Sequence, residues 1–129
     1  MKYLVTWGAG GEQEVSSPAE LDALLYRIRA AQTRVVVGVH YQATNGRWVG
    51  MDIGVGHPER SFVFFNERGG GYAREPSLYV WSDDIVFDDG GQATGYHPNE
   101  TLVRAEKALD AAREFVATGK RPTCVTWEQ

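Results

Sequence analysis

The chain has 129 residues, 43% of them hydrophobic and 12% aromatic, which allows a packed core and argues against disorder. A net charge of −4 disfavours nonspecific nucleic-acid binding and suits an acidic protein that meets a basic partner. The single cysteine excludes an internal disulfide. With no charged-then-apolar leader and no apolar run near the roughly 18 residues of a membrane span, a cytoplasmic protein away from the membrane is expected.

No internal repeat or low-complexity linker divides the chain, so residues 1–129 read as one domain. Tyr3 to Trp7 predicts a first strand, ended by Gly8-Ala9-Gly10-Gly11, and Glu12 to Val15 a short return strand. Ser17-Pro18-Ala19-Glu20 then opens a helix, with a serine cap, proline in the first turn and glutamate three residues on. Leu21, Leu24, Leu25 and Ile28 continue it at helical spacing to about Ala31.

Thr33 to Gln42 alternates as a strand, with Val35, Val37, Val39 and Tyr41 on one face. Asn45-Gly46 predicts a hairpin turn, and Arg47 to Val55 returns. Gly50 and Gly54 in that return strand point to bulges or a close neighbour. A turn at His57-Pro58-Glu59 leads to an aromatic strand, Arg60 to Glu67. Gly69-Gly70-Gly71 reads as a flexible loop with Tyr72 to Pro76 leading out of it. Leu78 to Trp81 and Ile85 to Phe87 read as strands, and Asp88 to Asn99 as a loop. Glu100 to Val103 suits a short edge strand.

The end of the chain is the most patterned part. Ala105, Ala108, Leu109, Ala112, Phe115 and Val116 make one helical stripe. Gly119 stands where a left-handed stop favours glycine, Pro122 forbids continuation, and Thr123 to Trp127 is strand-like. The block of strands between two helices argues for an α+β fold: a mostly antiparallel sheet of about six strands with both helices on one face.

The chemistry-bearing residues form no catalytic constellation. His40 sits mid-strand, and His57 and His97 each precede a proline in a turn. His57-Pro58-Glu59 and Pro122-Thr123-Cys124 match fragments of the zinc-deaminase signature, but Trp127 stands where the second cysteine belongs. Cys124 lies among apolar strand residues, where a cysteine behaves as a small hydrophobe. No metal or cofactor motif emerges, and the chain reads as a non-enzyme. Asp83, Asp84, Asp88 and Asp89 place four carboxylates within seven residues. They are open to three readings: a charged edge that resists aggregation, a surface for a basic partner, or a divalent-cation loop. Trp48 and Tyr72, both beside turns, are candidate interface anchors against a background of partial burial.

The run Ala111-Ala112-Arg113-Glu114-Phe115-Val116-Ala117-Thr118-Gly119-Lys120-Arg121-Pro122-Thr123-Cys124-Val125-Thr126-Trp127 resembles the end of the Imm-one family of immunity proteins. These belong to bacterial polymorphic toxin systems and are common in actinobacteria. The first strand and the Ser-Pro-Ala-Glu helix start are similar as well. The resemblance implies a protein that binds and neutralises a cognate toxin, often a nucleic-acid deaminase, without catalysis. The matched residues Phe115, Gly119, Pro122 and Trp127 look structural and do not locate the toxin surface. Asp83, Asp84, Asp88, Asp89, Trp48 and Tyr72 are the contact residues expected from the residues themselves. The alternative is a small-molecule-binding or accessory protein of a biosynthetic cluster, whose mark would be a deep apolar cavity between helix and sheet. Monomer and homodimer stay open.

Overall fold

The Ser17 side chain accepts the Glu20 amide at 3.2 Å, and Glu20 reaches back to the Ser16 amide at 3.3 Å, so helix α1 (Pro18–Ala30) starts where its capping residues place it. Helix α2 (Ala105–Thr118) ends at Gly119, whose φ of 73° closes it in the left-handed region. The computed structural model describes residues 1–31, 33–67 and 70–128. The glycine loop at Gly69–Gly71 falls partly outside them.

Eleven strands lie among the described residues: β1 (Tyr3–Trp7), β2 (Gly11–Val15), β3 (Val35–Gln42), β4 (Trp48–Val55), β5 (Arg60–Ser61), β6 (Val63–Phe65), β7 (Gly71–Arg74), β8 (Ile85–Asp89), β9 (Gln92–Tyr96), β10 (Val103–Arg104) and β11 (Thr126–Trp127). The main sheet runs β11-β7-β6-β4-β3-β1-β2. All its pairings along this path are antiparallel. The hairpin β8–β9 joins it through one parallel bridge, Val35 to Asp88. A separate pair, β5 with β10, stands beside it. The fold is the expected α+β type with a larger strand count than six.

Three local expectations are corrected. Arg60 to Glu67 is split at Phe62, so β5 pairs with β10 while β6 stays in the main sheet. Leu78 to Trp81 is not a strand: it has no pairing partner, and Tyr79 and Val80 stand exposed. Asp88 to Asn99 is not a plain loop. Gly90 and Gly91, at φ of 64° and 95°, turn the chain directly from β8 into β9.

The inner face of the sheet carries Val5, Val37, Val39, Met51, Ile53 and Val63, all fully buried under both helices. Burying each such side chain contributes about 1.5–3 kcal/mol. Phe115 is the keystone of this layer, with Tyr3, Tyr41 and Phe65 rings 5.4 to 5.9 Å from its own. The Tyr3 hydroxyl donates to the Phe115 carbonyl and the Tyr41 hydroxyl to that of Gly119, tying the helix end to the sheet. Beyond the helix, Glu114 accepts from the Thr123 amide, the Thr123 hydroxyl and the Cys124 amide. Trp127 Nε1 donates to the Pro122 carbonyl at 2.8 Å. These bonds explain why the C-terminal run is so strongly patterned.

Candidate functional site

The other face of the sheet has no helix on it. Strand pairing sets Thr6, Gly38, Asp52, Phe64 and Tyr72 side by side across five strands on that outer face. The neighbouring row is Glu14, Leu4, His40 and Gly50. Trp48 lies on the same face at the far end of β4, about 13 Å along the strand from Asp52, and 48% exposed. At the near end the β8–β9 hairpin makes a wall. There Phe62 stacks on Tyr96 at 4.0 Å, and Phe87 packs against both at 5.6 and 5.8 Å. The glycines expected to mark a close neighbour do so: a Cβ on Gly54 would meet the Phe87 ring, and one on Gly50 the His40 ring.

This face carries a cluster of acidic side chains. Burial, and then the charge of Asp89, pushes the Asp52 carboxyl up to about 6. His40 Nε2 stands 3.8 Å from Asp52 Oδ1, and burial holds its imidazole below the usual value. Burial, and then Glu100 and Asp52, pushes the Tyr72 hydroxyl up to about 12. Burial, Asp89, Tyr72, Asp52 and Glu100 together push Tyr96 up in turn. Asp52, Asp89, Glu100, Tyr72 and Tyr96 thus form one electrostatic neighbourhood. Among the described residues, no lysine or arginine forms an ion pair with Asp52, Asp89 or Glu100.

The four aspartates divide. Asp89 reaches the outer-face cluster, whereas Asp88 accepts from the Gly91 amide at 2.7 Å and closes the hairpin turn. Asp83 and Asp84 lie exposed at the opposite end of β8, where Asp84 approaches Gly95. Of the other two residues singled out, Tyr72 joins the cluster directly and Trp48 shares its face. Asp52 itself is not evident from sequence reading. Its signal is the β4 alternation Trp48, Gly50, Asp52, Gly54, a polar and small-residue stripe in a central strand. His57 Nδ1 accepts the Glu59 and Arg60 amides, and His97 Nδ1 the Asn99 amide, so both shape turns. Among the described residues no group of three or more His, Cys, Asp and Glu is arranged to hold a metal ion. No helix is long and apolar enough to cross a membrane.

The family model of immunity protein Imm1 matches residues 9–129. The chain belongs to the Imm1, or Imm-one, family of immunity proteins. No curated protein sequence matches it. The Imm1 match extends the resemblance from the C-terminal run across the middle strands, including β3, β4, β6 and β7 of the outer face. An immunity role rests on binding a toxin, and in this Imm1 chain Asp52, Asp89 and Glu100 stand on the helix-free face without a lysine or arginine ion pair among the described residues. The middle of the layer between helices and sheet is filled by Leu21, Leu24, Met51, Ile53 and Phe115, each buried to 1% exposure or less, and an open pocket of about 270 Å³ lies at its edge between Leu24 and Ile28 of α1 and Trp7 and Val35 of the sheet.

Proposed function

We propose that this chain neutralises a cognate toxin of a bacterial polymorphic system by binding it in the cytoplasm, without chemistry of its own, and that the toxin is a nucleic-acid deaminase. The observation that supports this best is the acidic outer face around Asp52, Asp89 and Glu100, none of which forms an ion pair with a lysine or arginine among the described residues. A protein that acts on nucleic acid presents a basic cleft, and charge complementarity speeds and orients its capture. Tyr72 and Trp48 supply the aromatic anchors, and Asp83 and Asp84 extend the acidic rim at the other end of β8, while Asp88 serves the hairpin turn. The small-molecule alternative would rest on the open pocket at the edge of the helix–sheet layer, whose middle is packed.

The test is co-purification with the toxin domain encoded beside this chain, followed by titration of the Asp52→Lys, Asp89→Lys double variant. The reading expects tight binding by the natural chain and a loss of about a hundredfold in the variant, since truncating or reversing close charge pairs costs several kcal/mol. Undiminished binding by a folded double variant would place the toxin elsewhere on the surface.

A further inference from the structure

A second surface lies away from the outer face, where the last turns of α1, the first turns of α2, the 56–60 turn and the 78–81 segment enclose an open cleft of about 1150 Å³. Its charge is opposite to that of the chain as a whole. Arg29, Arg60 and Lys107 line it, and none of the three has a carboxylate within 4 Å among the described residues. Arg104 and Arg113 also line it, the first already paired with Glu75 and Glu106 and the second with Asp22 and Asp110.

Arg60 is the centre of the arrangement. It is only 3% exposed, yet its guanidinium meets carbonyls and rings rather than an acid. It donates to the Thr101 carbonyl at 3.2 Å and the Tyr79 carbonyl at 2.8 Å, and lies 4.8 Å from the Tyr79 ring centre and 5.0 Å from that of Trp81. A buried cation without a counter-charge projects its field into the adjoining cleft. This contact also explains why residues 78–81 leave the sheet: Tyr79 gives its carbonyl and ring to Arg60 instead of to a neighbouring strand. The exposed aromatics of the cleft are Tyr79 and Tyr26, at 70% and 73%.

Cations beside exposed tyrosines suit two kinds of chain, a single-stranded nucleic acid or an acidic polypeptide. Glu59, Glu106 and Asp110 interrupt the positive lining. A phosphodiester carries a charge at every residue and cannot skip those carboxylates, whereas a polypeptide can space its acids to avoid them. The geometry points to a docking cleft for an extended acidic polypeptide segment, whose carboxylates meet Arg29, Lys107 and the field of Arg60 and whose apolar side chains lie on Tyr26 and Tyr79. This surface is independent of the outer face and of the toxin reading.

The experiment uses the full chain and a fluorescein-labelled peptide of Glu, Ser and Phe, followed by anisotropy at physiological salt. Controls are the same peptide with Gln for every Glu, and an oligothymidylate of similar length. Binding of the acidic peptide is expected to fall at least about tenfold in the Arg29→Glu, Lys107→Glu variant and in Tyr79→Ser, with unchanged circular dichroism, since Arg29 and Tyr79 are exposed and Lys107 is only half-buried. Binding should persist in the outer-face variant Asp89→Asn. Equal binding of the glutamine peptide, tighter binding of the oligothymidylate, no binding of the acidic peptide, or no loss in the cleft variants would each overturn the proposal.

Discussion

The Phe87 ring occupies the space that a side chain on Gly54 would need, with ring atoms 2.6 to 2.9 Å from the position of its missing Cβ. Gly54→Ala is therefore expected to push Phe87 off the sheet and loosen its stacking partners Phe62 and Tyr96. The expected cost is about 1–3 kcal/mol, the usual range for overpacking. Urea denaturation measures it, and near-ultraviolet circular dichroism should report the disturbed rings. A variant as stable as the parent would show that the hairpin moves freely over β4.

Asp52 should make the stability fall as pH rises. Its folded pKa of about 6 lies above the ordinary carboxylate value, so the folded chain holds the proton more tightly than the unfolded one. Stability is then lost progressively between the unfolded value and about pH 6, and the penalty stays in place above it. Asp52→Asn should accordingly stabilise the protein near pH 7.5, by about 1 kcal/mol once solvent screening of this partly exposed group is allowed for, and much less at pH 4. Denaturation curves of both proteins at the two pH values decide it. On the toxin-binding reading the same substitution weakens capture, a trade between stability and function.

Glu114 should behave in the opposite sense. Burial works to raise its pKa, but the hydrogen bonds from Thr123 and Cys124 win and hold it below the usual value. Its contribution is present above the ordinary glutamate range and is lost as pH falls through the lowered folded value. Glu114→Ala should free the segment that carries β11. The measurement is hydrogen exchange: the Thr123 and Cys124 amides, which now donate to this carboxylate, should exchange at least about tenfold faster, in line with the roughly 1–3 kcal/mol of a lost charged hydrogen bond.

Cys124 should resist thiol reagents at neutral pH. Burial, and then the Glu114 carboxylate, pushes its thiol up to about 11, so almost none is thiolate. Native protein should react far more slowly with a disulfide reagent than urea-unfolded protein. In Glu114→Ala the rate should rise.

Much of the helical layer is legible in the sequence because its signals are local. Ser17, Pro18 and Glu20 fix one helix start, and Phe115 with Gly119 fixes the other helix end. The Asn45-Gly46 hairpin is present too, with Gly46 at φ of 87° and a wider turn than two residues, since the Ala43 amide bonds the Arg47 carbonyl. What escapes is set by partners far away in the chain. Residues 78–81 have the composition of a strand but are claimed by Arg60. Gly90 and Gly91 look like loop residues until β9 pairs with β8. Four neighbouring aspartates look like one patch, yet a five-residue strand carries two of them away from the other two. Asp52 gains its character first from burial among neighbouring strands and then from Asp89, and no spacing rule connects it to either.

The two apolar clusters, one under the helices and one under the hairpin, share no side chain. A change in one reaches the other chiefly through the sheet backbone between them. A change on the hairpin side, such as one at Gly54, is therefore felt first by the rings around Phe87, while the contacts under the helices stay in place. Each half of the sheet thus carries its own packing debt.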